Sequence, residues 1–371
     1  MADVVHPFRI AVPDAVLDDL RRRLRATRWP ARETVPDWSQ GVPLDHLREI
    51  CRYWADGYDW RARERALNEI PQFRTRVDGL DLHLLHVRSA SPHAVPLLLT
   101  HGWPGSVAEF AALIGPLTDP PDPRDAFHVV CPSLPGFGFS AQPTEAGWGV
   151  PRIADAWAAL MTRLGYDRFA AHGGDWGAIV TSKLGERHPD RLLAMHLTMP
   201  LARPAPEDAD DPDPRAVAAL TAREHYEHVG SGYARIQATR PQTLGYGLTD
   251  SPAGQAAWIL EKYREWTDRA EPPIDRDTLL DVVTIYWVTG SAASSARLYW
   301  ESFRKDPLGP VAVPTAVAAF PKEIIRSAPG WAARRYDLRR WTDMPRGGHF
   351  AALEQPGLLV ADVREFLRGF R

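Results

Sequence analysis

Residues 168–184 read RFAAHGGDWGAIVTSKL, and the change of character at the centre of this stretch decides what kind of fold carries it. RFAAH (168–172) is a short apolar run suited to a buried strand, and a helical pattern follows near 177–188. Only Gly173, Gly174, Asp175 and Trp176 lie between them, so the chain must pass from strand to helix in one tight turn. Such a turn is strained and crowded, which accounts for the small residues Gly173 and Gly177 placed two positions either side of Asp175. A side chain at the apex stands clear of both elements, where a nucleophile has to be.

Working outward, the same alternation repeats. VPLLLT (95–100) precedes a helix beginning near Ser106, where Ser106 and Glu109 have capping-box spacing. FHVVCPS (127–133) precedes a helix at 152–164, whose Ile153, Trp157, Leu160 and Leu164 share one face. LLAMHLTM (192–199) follows the central helix. Upstream, FRTRV-DG-LDLHLLHV from Phe73 alternates with period two around Asp78-Gly79, a strong hairpin signal. These runs predict an α/β fold with a mostly parallel central sheet and helices on both faces.

The flanks differ from this core. Residues 1–72 read as a helical extension: Leu17, Leu20 and Leu24 recur after Pro13-Asp14, with Asp14 the expected N-cap, and LDHLREICRYWADGYDW and RARERALNEI follow. The alternating core occupies 73–200. PLARPAPEDADDPDP (200–214) is a proline- and acid-rich linker, and residues up to 308 are helical and aromatic-rich, a helical cap inserted between strands. VPTAVAAF (313–320) restores the α/β pattern for 309–371, ending in a helix near 356–370.

Composition excludes several classes of function. Forty-four basic against forty-seven acidic residues give −3, so no global field attracts nucleic acid or an anionic membrane. RRRLRATR (21–28) follows an acidic stretch and reads as the solvated face of an amphipathic helix. Two cysteines, Cys51 and Cys131, supply neither a disulfide framework nor a cysteine-rich metal site. The N-terminal residues carry no signal-peptide pattern, and the expectation is a cytoplasmic protein. Thirty-four prolines and a lysine set of Lys183, Lys262, Lys305 and Lys322 alone suggest a GC-rich, bacterial genome.

The chemistry centres on Asp175. The strand–turn–helix around it is the elbow of an α/β-hydrolase fold, yet the apex holds aspartate and no G-x-S-x-G occurs in the chain. A serine alkylated at an sp³ carbon forms a stable ether, whereas an alkylated carboxylate forms an ester that water can cleave. An aspartate here therefore suits an epoxide or an alkyl halide. LLLTHGWPGSVAEF (97–110) follows the strand where this fold places its first oxyanion donor, so the backbone N–H groups of Trp103 and Trp176 are the expected pair. His101 is expected to support that loop. In MPRGGHFAALEQP (344–356), His349 lies late in the chain, where the general base belongs, although any one of thirteen histidines is more often structural. The first acid after VPTAVAAF is Glu323, with Asp337 and Asp343 as competitors, while Glu354 reads as a helix N-terminal charge.

HGWPGS, PSLPGFGFS (132–140), GGDWG, FPKE, RGGHFAALEQP, RLYWES and the long stretch from GYARIQ to EKYREWTD together resemble the epoxide hydrolases of the microsomal and juvenile-hormone type over nearly the whole length. The leading helices resemble that family's N-terminal module, and the expectation is a protein without the family's membrane anchor. The resemblance implies Asp175 as nucleophile, His349 as base and Glu323 as the acid that orients it. It also implies Tyr233 and Tyr299 as donors to the epoxide oxygen, with Trp103 and Trp176 lining the substrate pocket and no metal or organic cofactor. The implied substrate is an apolar or aryl epoxide, met in detoxification or secondary metabolism. A homo-oligomer is left open. Two other readings stand beside it: a haloalkane dehalogenase with the same aspartate, and a non-catalytic hydrolase-fold binding protein.

Overall fold

A computed structural model describes residues 4–208, 212–271, 274–303, 305 and 309–371. Its strands are β1 (His6–Phe8), β2 (Gln72–Val77), β3 (Leu80–Val87), β4 (Val95–Thr100), β5 (Phe127–Pro132), β6 (Phe169–Gly173), β7 (Leu192–Leu197), β8 (Val311–Ala319) and β9 (Tyr336–Asp343). They form one sheet in the order β1-β2-β3-β5-β4-β6-β7-β8-β9. The pairs among β1, β2, β3 and β5 are antiparallel, and every pair from β5 through to β9 is parallel. The hairpin turns where expected, with Asp78 (φ 48) and Gly79 (φ 79) both left-handed, as a two-residue hairpin requires. The edge strand β1 was not anticipated: three residues are too few for a period, and only its pairing with β2 reveals it.

Strand side chains alternate between two apolar layers, as residues of a doubly covered sheet must. Leu97 and Leu99 meet Leu113, Leu117, Leu359 and Val363 of the helices Ala111–Thr118 and Pro356–Leu367. Leu98 faces the opposite layer with Ile153, Trp157 and Val180, from the helices Val150–Arg163 and Asp175–Arg187. Between β7 and β8 the described residues form the helices Pro214–His225, Gly232–Thr239, Pro241–Asp250, Pro252–Trp266, Arg276–Val288 and Ala292–Ser302. Residues 209–211 of the expected linker, and 306–308 where the cap was expected to end, lie outside the described residues.

The leading helix, Asp14–Arg25, buries Leu17, Leu20 and Leu24 as their spacing requires. Asp14 is not its N-cap. Pro13 holds that position without a side-chain cap, and Asp14 sits in the first turn, paired with Arg61. The next two helices, Leu44–Asp56 and Trp60–Leu67, grip the helical insertion. Trp54 donates to Thr284 Oγ1 at 2.9 Å, Tyr58 to Asp281 Oδ1 at 2.6 Å and Tyr53 to Asp277 Oδ1 at 2.7 Å, with Arg63 ion-paired to Asp281. Among the described residues, no helix is long and apolar enough to cross a membrane.

The connections after β4, β6, β8 and β9 all leave from the same edge of the parallel strands. They carry Trp103, Asp175, Glu323 and His349 respectively. The carboxyl ends of parallel strands are where an open α/β sheet gathers a site.

Candidate active site

The helix after β6 begins at Asp175 itself, two residues before the sequence pattern suggests. Asp175 has φ 50, in the left-handed region, which for a residue with a Cβ costs about 1–2 kcal/mol. The neighbourhood enforces that conformation. A Cβ at Gly177 would lie 1.8 Å from the carbonyl oxygen of Thr100, so the new helix can only leave this close to β4 with glycine there. Gly102 is equally restricted, because a Cβ on it would lie 2.2 Å from Asp175 Oδ1. The result is a carboxylate standing at a helix N-terminus, with the N–H of Trp103 donating to Oδ1 at 2.8 Å.

His349 closes the arrangement from the far side. Its Nε2 is 3.4 Å from Asp175 Oδ2, and its Nδ1–H donates to Glu323 Oε1 at 2.7 Å. Glu323 Oε1 also accepts the N–H groups of Ile324 (2.7 Å) and Ile325 (3.3 Å), so the acid is fixed before it fixes the imidazole. Burial works against a charged His349, but the carboxylates of Glu323 and Asp175 outweigh it and hold the imidazolium up to about 10. Asp337 and Asp343 sit on β9 and turn elsewhere, Asp337 to Arg339 at 2.8 Å and Asp343 to Trp341 Nε1 at 2.9 Å. The structure thus brings Asp175, Glu323 and His349 together in the expected chain order.

Glu354 lies in the first turn of the short helix Ala351–Glu354, as expected of a helix N-terminal charge, and its carboxylate accepts the N–H of the N-cap residue Phe350 (3.0 Å) together with those of Asp268 (2.7 Å) and Gly348 (3.0 Å). That clamp sets the loop carrying His349. The backbone N–H of His349 is held in turn by the carbonyl of Trp266 at 2.9 Å, and the Trp266 ring meets the imidazole edge-on at 5.0 Å. Sequence reasoning did not single out Trp266, because nothing distinguishes one tryptophan within an aromatic-rich helical run.

Above Asp175 the helical insertion supplies an aromatic roof. Tyr233 stacks on Trp103 at 5.0 Å, and Tyr299 meets Trp103 edge-on at 5.9 Å and Trp176 at 4.8 Å. The two phenol rings are 5.8 Å apart. Burial, reinforced by the nearby Asp175 charge, pushes both phenols far above their usual range, so they stay protonated donors. Tyr226, which the sequence did not mark out, places its hydroxyl 3.2 Å from that of Tyr233. His101 stays a support: its Nδ1 bonds the Gly102 carbonyl at 3.0 Å, Nε2 accepts from Leu134 N–H at 3.1 Å, and burial lowers it to about 4.

One cavity borders Asp175 and another borders its neighbour Trp176. A small one of ≈ 30 Å³ touches Asp175, His349, Trp103 and Glu109, room for about one water. Glu109 is a correction. Ser106 Oγ does cap the helix start, accepting from Ala108 N–H at 3.3 Å, but the Glu109 carboxyl lies against Gly105 and faces this cavity. Burial and, to a lesser degree, Asp175 push it up to about 8, with His349 opposing them. The larger cavity, ≈ 420 Å³, is walled by Trp176, Ile179, Tyr226, Phe303 and Ile325. No group of three His, Cys, Asp or Glu side chains among the described residues is arranged to hold a metal ion.

Comparison with known proteins places the sequence and the fold in one family. A family model described as the epoxide hydrolase N terminus matches residues 5–110, and a model of the alpha/beta hydrolase fold matches 95–235. A putative epoxide hydrolase of Stigmatella aurantiaca is 51% identical over 376 residues, covering 99% of this chain and 86% of its own. The chain belongs to the epoxide hydrolases. Juvenile hormone epoxide hydrolase 2 of Ctenocephalides felis is 36% identical, over 99% of this chain and 86% of the relative. The solved epoxide hydrolase of Aspergillus niger superposes with a TM-score of 0.93 at 32% identity, over 100% of this chain and 97% of that one. The mixed nine-strand sheet is therefore the α/β-hydrolase fold of an epoxide hydrolase, as the elbow around Asp175 implies.

Proposed function

We propose that the protein hydrolyses an apolar or aryl epoxide to a vicinal diol through an alkyl ester of Asp175. The observation that carries this reading is the two-sided grip on one carboxylate: Trp103 N–H on Oδ1, His349 beside Oδ2, and two protonated phenols above. The helical segment within 201–308 acts as the cap over the 73–200 and 309–371 core, and the 1–72 module braces that cap. Oδ2 attacks a ring carbon from behind while the ring C–O bond breaks. The Tyr233 and Tyr299 hydroxyls hydrogen-bond the departing alkoxide.

Esterification removes one of the two negative charges that hold His349 protonated. The imidazolium then becomes a stronger acid, and the proton it loses balances the one the alkoxide takes up. Neutral His349, oriented by Glu323, next removes a proton from water, whose oxygen attacks the Asp175 carbonyl carbon. The amides of Trp103 and Trp176 hold the oxyanion, and its collapse expels the diol, with the proton returned by His349.

Opposite pH dependences are expected for the two half-reactions. Alkylation uses the imidazolium–carboxylate pair, so its rate falls as pH rises through about 10. Ester hydrolysis uses neutral imidazole, so its rate rises with pH, with a midpoint below that value because the Asp175 charge has gone. Rapid-quench single turnovers across pH read both, and parallel profiles would contradict the coupling.

Tyr233→Phe and Tyr299→Phe are each expected to slow alkylation roughly 10²-fold, the scale of one lost oxyanion donor, with far less effect on ester hydrolysis. Pre-steady-state traces in which hydrolysis suffers more would remove the tyrosines from ring opening. The overall reading is tested by following styrene oxide and a wider epoxide panel for diol formation. Inertness toward all of them would return the chain to a binding role.

A further inference from the structure

We infer that the larger cavity is built to hold an anionic group, so that the preferred epoxides carry a carboxylate joined to the ring by an apolar chain. This rests on the proposed reaction and names the substrate class it serves. Two of its lining residues touch the tyrosine pair: Trp176 meets Tyr299 at 4.8 Å, and the Tyr226 hydroxyl is 3.2 Å from that of Tyr233. Ile179, Leu201, Phe303 and Ile325 give it an apolar wall. Its size, ≈ 420 Å³, suits a ligand much longer than a bare oxirane.

Cations outnumber anions around this apolar wall. Lys183 and Arg335 share Glu186, at 2.6 and 2.9 Å, and Arg223 pairs with Glu227 at 3.2 Å. Arg203 and Arg326 also line the cavity, and neither makes an ion pair or hydrogen bond with the described residues. Arg203 is exposed and Arg326 half-buried, which places the pair toward the solvent side of the apolar stretch. Half-buried Arg326, beside apolar side chains, has lost part of its hydration without gaining a counter-charge among the described residues, and a carboxylate meets its forked donors directly. The smaller cavity, at ≈ 30 Å³, has room for about one water and none for a chain ending in a carboxylate. An amphiphilic acid therefore lies one way round, its charge at the arginines and its ring at the tyrosines.

The test compares kcat/KM for epoxyundecanoic acid, with a terminal oxirane, and for its methyl ester, alongside styrene oxide as a neutral reference. The acid should exceed the ester by about tenfold or more at low ionic strength, the scale of one charge-assisted hydrogen bond. Salt should shrink that ratio. In Arg203→Gln/Arg326→Gln the ratio should fall toward one through loss of acid turnover. Equal values for acid and ester in the unaltered protein, or a ratio untouched by the double substitution, overturn the anionic site while ester or styrene oxide turnover leaves the epoxide reaction standing. Turnover of styrene oxide with neither fatty epoxide also overturns it. Inertness toward all three overturns the reaction itself and this inference with it.

Discussion

Asp175→Asn should reduce turnover by a factor on the order of 10⁴ or more, with the fold intact. The amide has nearly the shape of the carboxylate, and its carbonyl oxygen can still accept the Trp103 N–H that now reaches Oδ1 at 2.8 Å. What disappears is the nucleophile, together with one of the charges holding His349 protonated, so the imidazole should also titrate lower than about 10. The measurement is steady-state diol formation on protein whose mass shows the substituted residue undeamidated. Histidine NMR supplies the accompanying titration. Slow recovery of activity with a matching gain in mass would mark conversion of the amide to aspartate. Full activity in the intact variant would exclude Asp175 as the attacking group.

The second large effect separates the two half-reactions. His349→Gln should leave alkylation possible and slow ester hydrolysis by roughly 10²–10⁴-fold, the range of general-base assistance. The glutamine keeps a polar side chain beside Glu323 but cannot take a proton from water. Exposed to styrene oxide, this variant should gain the mass of one whole epoxide, mapped to Asp175, because ring opening releases no leaving group. A 1-haloalkane offers the informative contrast. An adduct from the halide alone, lacking the halogen, would make dehalogenation the better description, and an epoxide adduct on any other residue would displace the mechanism.

Legibility in the sequence followed the range of the interactions involved. The elbow, the Asp78-Gly79 hairpin and the Leu17, Leu20 and Leu24 stripe are local, so spacing alone displayed them. Glu323 and His349 were legible through chain order, since each follows a recognisable strand or a Gly-Gly turn. Tyr233 and Tyr299 needed the family resemblance, because a tyrosine that packs and one that donates look alike in a list of residues. Contacts between distant segments left no local trace. Glu109 and Ser106 have the spacing of a reciprocal cap, yet the carboxyl lies beside Gly105 and faces the cavity that also borders His349. Glu354 was legible as a helix N-terminal charge, but its bonds to the N–H groups of Asp268 and Gly348 were not. Asp14 sits one residue past the N-cap, and its partner there, Arg61, lies 47 residues later.

The hydrogen bond from Trp103 to Oδ1 gives the two oxygens of a chemically symmetric group different histories. In the proposed mechanism Oδ1, pinned, would become the carbonyl oxygen of the ester, while Oδ2 would attack and on hydrolysis depart as one of the diol hydroxyls. Each turnover would then pass an atom of the protein into the product and replace it from solvent. In isotopically heavy water the first diol released should carry no label, and every later one should carry one heavy oxygen. Within the protein the exchange should stop at a single atom of Asp175 for as long as the Trp103 amide keeps the carboxylate from turning over.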